Sequence, residues 1–479
     1  MDSRSIYQNI SPLDHRYSLS DPALFARLSA ILGEEASIKY CARVEVALLK
    51  TLLRHLPAQV APAGLEERLD AAAEEISPGE VYAEEATTHH NVRALVNVLK
   101  RHLPETVRPY AHLGATSVDI LDTAASLRYK EAIRSVILPL LVDLELELVR
   151  RAREEAETPQ IGRTHGQHAV PITFGFALAE YVARLGKSIL RIHEKSEGLR
   201  GKLAGAVGAY NATSLLVKDP QKLELEFLAI LGLTPSEHST QLVEPEHLLA
   251  LLLELNTAFG IIANLADDLR NLQRSEIGEV HEEFAATQVG SSTMPQKRNP
   301  WNSEHVKSLW KEFCPRVITF FMDQISEHQR DLTNSATARF VPEFIAGFAS
   351  AAERMRTIIH SLGVDRRRMA ENLAMGGDLI FSEPVYVLIA LGGDAEAHER
   401  VRAATLRAEK TGAKLADILR QDAALWEILT RQLAVSRGLE AGVFFSDPAN
   451  YRGLSSERAR RIADTHAQAM QRLSAELKS

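Results

Sequence analysis

The stretch from Pro245 to Leu272 constrains the fold more than any other part of this chain. Leu248, Leu249, Leu251, Leu252, Leu253, Leu255, Phe259, Ile261 and Ile262 recur at intervals of three and four and cover most of a helical surface. A helix apolar nearly all round must be buried nearly all round. Four more stretches read as long helices: about Asp119 to Ala156, with Pro139 expected to kink it, Ile172 to about Leu199, Trp301 to His328, and Val341 to Leu362. At about 1.5 Å per residue, ~25 residues span roughly 40 Å, more than the width of a small domain. Five such helices cannot bury one another completely, so copies of the chain are expected to associate through the bundle. Strand-like alternation is scarce. The fold class expected is mainly α, with a central bundle of long helices.

Helical periodicity also runs from Pro22, breaks at 57–64 and returns over Leu65–Ile76. The polar run Ala86–Val92 is expected to open the next helix, with Thr87 or Thr88 as its cap. Pro104 and Pro109 close this region. Shorter helices follow Gly363, beginning at the basic run Arg366-Arg367-Arg368, and a polar amphipathic helix ends the chain. Three domains are expected: 1–111, 112–364 and 365–479. The net charge of -8 excludes bulk attraction to nucleic acid or an anionic membrane, so an anionic ligand needs a local cluster of cations. Two cysteines, Cys41 and Cys314, make no disulfide framework. No uninterrupted apolar run reaches ~18 residues, so no membrane span is expected. Met1-Asp2-Ser3-Arg4 lacks a signal-peptide pattern. A cytoplasmic protein is the expectation.

One polar stretch stands apart from the helices: Gly290-Ser291-Ser292-Thr293-Met294-Pro295-Gln296-Lys297-Arg298-Asn299-Pro300. Only Val289 and Met294 could pack here. It reads either as a flexible, hydroxyl-bearing, cationic loop that closes over an anion or as a surface linker. Further polar clusters sit far apart in sequence. His89-His90-Asn91 is one. Thr116-Ser117 with Asp119 is either a helix cap or a helix N-terminus offered to an anion. Arg163-Thr164-His165-Gly166-Gln167-His168 holds two histidines, but no third ligand at recognisable spacing, so no metal is indicated. Arg330, Ser335 and Arg339 could hold a phosphate, or could form a solvated helix start. The glycine-rich 205–211 segment has no strand–helix unit around it, and no phosphate-binding or dinucleotide motif occurs. No cofactor is suggested.

G-S-S-x-M-P-x-K-x-N-P resembles the signature loop of the fumarase/aspartase superfamily. With Arg16-Tyr17, the histidine pair, Thr116-Ser117, Arg163–Gln167, Thr240-Gln241 and the Arg330–Arg339 stretch, the chain is similar to the adenylosuccinate lyase family. That resemblance implies a three-domain, mostly helical subunit. It also implies a homotetramer joined through the long helices, each active site drawing on three subunits. The implied reaction is β-elimination of fumarate from adenylosuccinate and from the succinyl-carboxamide imidazole ribotide of purine synthesis. By the same match Ser291 is the base, His165 the general acid and Glu304 the carboxylate that orients it. His90 assists, and Lys297 and Asn299 bind the carboxylate on which charge develops. Arg16, Tyr17, Arg330, Ser335 and Arg339 would hold the phosphate. Thr116, Ser117, Thr164 and Gln241 would hold the succinyl part, and His89 and Asn91 count among the substrate-binding residues.

The chain departs from the family at three of these places. Asn91 stands where Asp is common, and an amide cannot lend His90 a negative charge. His89 stands where Arg or Asn is usual, and Gln296 replaces a commoner His and is similar to argininosuccinate lyases. An argininosuccinate lyase, another lyase or cycloisomerase of the superfamily, and a non-catalytic helical scaffold are the alternatives.

Overall fold

Helix Glu246–Leu272 forms the centre that its sequence demands. In the computed structural model, which describes residues 5–55, 64–284 and 292–478, it packs against helices Phe174–Glu197, Trp301–Phe313 and Ser335–Ser361. Leu249, Leu251, Leu252, Leu255, Phe259 and Ile262 are buried, and the Phe259 ring meets Phe348 edge-on at 5.5 Å. Leu248 and Leu253 stay half-buried. This helix is long and apolar enough to cross a membrane, with a mean hydropathy of 1.8 in its best window, yet its apolar surface meets other helices of the chain.

Prolines set the breaks in the other long helices. The first reading, Asp119 to Ala156, is two helices, Ser117–Ala132 and Leu138–Glu154. Between them Ile133–Ile137 is a π-helical turn, placed where Pro139 removes an N–H from the ladder. The expected helix from Trp301 to His328 is corrected to Trp301–Phe313 and Arg316–Met322, because Pro315 interrupts it. The helix expected from Val341 starts earlier, at Ser335, and carries Pro342 inside. Pro342 cannot bond to the Ala338 carbonyl; the Tyr129 hydroxyl donates to that oxygen instead, at 3.4 Å. The helix expected from Ile172 begins at Phe174, after two strands, Pro159–Thr164 and Gln167–Thr173.

A main apolar core joins the N-terminal helices to the long ones, and a second, smaller core gathers Leu373, Phe381, Val385, Leu429 and Phe444 among others. The last helix, Ser455–Lys478, leaves that second core and lies against Leu138–Glu154 and Phe174–Glu197. A buried polar pair sits in this three-helix seam. Glu145 is fully buried, neither of its oxygens has a hydrogen-bond partner, and Nδ1 of His466 is 3.5 Å away. Gly186 makes the room: a Cβ there would come within 2.1 Å of His466 and 2.6 Å of Glu145.

Burial pushes the Glu145 carboxyl well above the usual carboxylate range. Burial, and then Lys187, push the His466 imidazole down. The raised Glu145 contributes stability below the ordinary carboxyl range, and that stability is lost as pH climbs through the raised value. The lowered His466 contributes stability above the ordinary imidazole range, and it is lost as pH falls through the lowered value. Thermal unfolding followed against pH should therefore show a weaker alkaline decline in Glu145→Gln and a weaker acid decline in His466→Asn. Profiles unchanged in both variants would exclude the pair as a source of pH sensitivity.

Candidate active site

Thr164 and His165 are carried by a β-hairpin that the sequence reading did not foresee. Thr164 pairs with Gln167, so His165-Gly166 form a two-residue turn, with φ of 53° and 74°. Positive φ at both positions matches the right-handed twist of the strands, and glycine at the second costs little. The tip is exposed. Its root is fixed by Glu279, which is fully buried and accepts from Gln160 at 2.7 Å, Arg163 at 2.6 Å and Asn372 at 2.8 Å. A buried carboxylate is tolerable only when paired and hydrogen-bonded in this way. The exposed His165 thus stands on a stiff support.

Ser291 lies outside the described residues, as does Gly290. From Ser292 to Arg298 the loop is exposed, and Asn299 is half-buried. A turn runs from Met294 to Lys297, whose N–H donates to the Met294 carbonyl at 3.0 Å. Lys297, Arg298, Asn299 and Glu304 line an open groove of about 840 Å³ together with Arg270 and Arg274. Arg270 and Lys307 share Asp267, at 2.6 and 2.7 Å. Four cations, Arg270, Arg274, Lys297 and Arg298, and two acids, Glu276 and Glu304, thus line one groove. Glu304 sits in the first turn of helix Trp301–Phe313, exposed, and its side chain has no hydrogen bond to another described residue.

The segments expected to hold phosphate and succinyl groups are only partly assembled. The Gln241 N–H donates to the Gln329 carbonyl at 3.1 Å, joining those two stretches. Arg330 turns inward: its guanidinium donates to the Asp323 carbonyl, its Nε is buried without a partner, and its φ is 97°. It lines a cavity of about 120 Å³ with Asp122, Tyr129 and Asp323, where burial pushes the Asp122 carboxyl up to about 6. Ser335 and Arg339 are exposed one turn apart on one helix face, and Arg339 donates to the Ser335 carbonyl at 3.2 Å. Arg16 is exposed, and the Tyr17 hydroxyl bonds His305 at 3.1 Å, beside the first turn of Trp301–Phe313.

Thr116 and Ser117 open helix Ser117–Ala132, and Asp119 reaches back to the Thr116 N–H at 2.8 Å. Asp119 has a second role that the sequence did not reveal. Its other oxygen takes the buried ammonium of Lys202 and the N–H groups of Ala204 and Gly205, tying the glycine-rich segment to this helix.

The helix near His90 needs correction. Thr87 and Thr88 end a helix, Pro78–Thr88, that the sequence reading missed. His90 itself caps Asn91–His102: its Nδ1 accepts from the Arg93 N–H at 3.3 Å, which leaves Nε2 for any ligand. His89 has φ of 50°, and the Asn91 side chain accepts from the Val92 N–H at 2.8 Å. Among the described residues six non-glycine residues have positive φ, and His89, His165 and Arg330 are three of them. Such strain concentrates at functional sites. The candidates nevertheless lie apart, and no side-chain hydrogen bond between described residues joins His90, His165 and Lys297.

Comparison with known proteins gives a consistent outcome. A family model described as lyase matches residues 21–317, and one described as adenylosuccinate lyase C-terminal matches residues 326–436. The adenylosuccinate lyase of Pyrococcus abyssi is 33% identical over 427 residues, 88% of this chain and 92% of that protein. The adenylosuccinate lyase of Pyrococcus horikoshii is 32% identical over 461 residues, 95% of this chain and 97% of that protein. Among solved structures, 3-carboxy-cis,cis-muconate lactonizing enzyme from Pseudomonas putida superposes with a TM-score of 0.75 at 26% identity, covering 95% of this chain and 98% of that one. Fumarate lyase from Mesorhizobium sp. BNC1 shares the fold, with a TM-score of 0.76 at 24% identity over 92% of this chain and 97% of that one.

Proposed function

The chain belongs to the adenylosuccinate lyase family, and from that membership we propose that it eliminates fumarate from adenylosuccinate, leaving AMP, and from the succinyl-carboxamide imidazole ribotide. The observation that carries this reading is the near full-length match to adenylosuccinate lyases, including a C-terminal segment that begins at residue 326 and so contains Arg330, Ser335 and Arg339.

In this mechanism Ser291 takes a proton from the carbon next to a succinyl carboxylate. The electron pair left behind becomes the second charge of that carboxylate, which Lys297 and Asn299 stabilise. That electron pair then forms the carbon–carbon double bond of fumarate as the carbon–nitrogen bond breaks, the electrons of the broken bond stay on nitrogen, and His165 donates a proton there. Glu304 orients His165, and His90 binds or protonates from the side with its free Nε2. The groove's cations favour the anionic substrate and the ionised serine.

Sharing of sites between copies is part of this reading. It is supported by the exposed hairpin tip, the scattered candidates and the exposed apolar side chains of Ile318, Phe321, Met322, Ile325 and Phe340. A homotetramer is the assembly proposed.

Purified protein incubated with adenylosuccinate should release fumarate and AMP; activity confined to argininosuccinate would move it to a sister enzyme. Arg339→Ala tests the phosphate contact, because Arg339 is exposed and its loss leaves the fold alone. KM should rise by about tenfold or more, the worth of a charge-assisted hydrogen bond, with kcat little changed. An unchanged KM would take Arg339 out of the phosphate site.

A further inference from the structure

The cationic groove depends on where helix Trp301–Phe313 begins, because Lys297 and Asn299 immediately precede it and Glu304 lies in its first turn. The cap position is Pro300, which offers no side-chain acceptor. The free N–H groups at the helix start therefore need an acceptor from elsewhere. Glu282 supplies it from across the fold. One carboxylate oxygen accepts from the Ser303 N–H at 2.8 Å and the Ser303 hydroxyl at 2.7 Å. The other accepts from the Asn302 N–H at 3.2 Å and the Asn302 side-chain amide at 3.0 Å. Glu282 is 4% exposed, and all four of these contacts go to this one helix start.

Two other groups complete the brace. Gln273, at the end of helix Glu246–Leu272, accepts from the Glu282 N–H at 2.9 Å and donates to the Arg298 carbonyl at 3.3 Å. Arg354 donates to the Asn302 side chain at 2.6 Å and lies 5.4 Å over the Trp301 ring. Glu282 follows strand Val280–His281, which pairs with Gly363–Val364 and so belongs to the body of the chain. Its carboxylate also sits at the positive end of the helix dipole.

We propose that Glu282 is the positioning residue of the active site: by capping helix Trp301–Phe313 from the segment that follows strand Val280–His281, it fixes Lys297, Asn299 and Glu304 against the body of the protein. Its catalytic consequence rests on the lyase reading above, whereas the brace itself is geometry. A misplacement of about 1 Å in groups that stabilise a transition state costs up to about 100-fold in rate. Substrate binding that does not depend on those groups is spared.

The test uses Glu282→Ala and Glu282→Gln in the full-length protein. Glu282→Ala should lower kcat by about 10- to 100-fold with KM changed less than about threefold. Glu282→Gln keeps one acceptor oxygen for Ser303 and should lose less. Amide hydrogen exchange should rise at residues 298–304 in both variants, Glu282→Ala more than Glu282→Gln, with little change in the other long helices. Exchange is read without substrate, so it decides the brace even if the wild-type protein fails to turn over adenylosuccinate. Unchanged exchange at 298–304 in folded Glu282→Gln would overturn the proposal. So would a rate loss that merely tracks the fraction unfolded in both variants.

Discussion

Replacing Ser291 with alanine should lower kcat by about three orders of magnitude while KM moves far less. The expectation follows from what the elimination asks of the groove. A weakly acidic C–H proton has to leave, and the negative charge that results has to be held. On the proposed reading Arg270, Arg274, Lys297 and Arg298, which line the groove, would serve the second need. Glu304 and Glu276 are the groove's acids. Lys297→Met provides the companion measurement. It removes a charge that acts in the transition state, so kcat should fall by about 100- to 1,000-fold with the base still in place. Single-turnover rates on adenylosuccinate separate chemistry from release. Undiminished single-turnover rate in Ser291→Ala would hand the base to another group, with His90 Nε2 the first to examine.

The long helices were legible because burial follows apolar periodicity. Leu249 to Leu269 lie in the core as their spacing requires. What misled was local chemistry acting against that pattern. Pro315 breaks a periodic stretch, and Pro139 comes with a π-helical turn instead of a simple kink. The hairpin at 159–173 was hidden because its strands carry polar residues toward an exposed tip, so no clean alternation shows; the adjoining His165-Gly166 was the readable turn signal. Of the site, the loop, the histidines and the arginines could be picked out by residue type. Glu282, Glu279 and the Asp119–Lys202 pair could not, because each acts on a partner between 20 and 119 residues away in sequence. A proline at a helix cap was the one hint that an acceptor had to come from another part of the chain.

Mixing two strongly impaired variants should restore activity far above that of either alone. His165→Ala removes the proposed acid from the hairpin tip, and Lys297→Met removes the cation from the loop groove. In one chain these groups occupy different structures, the hairpin rooted on Glu279 and the loop braced by Glu282. Both are exposed, as parts waiting for a neighbouring copy would be. If each site takes its hairpin from one copy and its loop from another, random exchange of subunits leaves about a quarter of the sites with both parts intact, in line with closed symmetric assembly. The two proteins, unfolded together and refolded, or co-expressed, should then reach about a quarter of wild-type turnover. Each refolded alone gives the baseline. If hairpin and loop of the same chain met in one site, every mixed assembly would still lack one part everywhere, and the mixture would stay at that baseline. The same mixture therefore separates a shared site from a self-contained one by presence or absence of turnover.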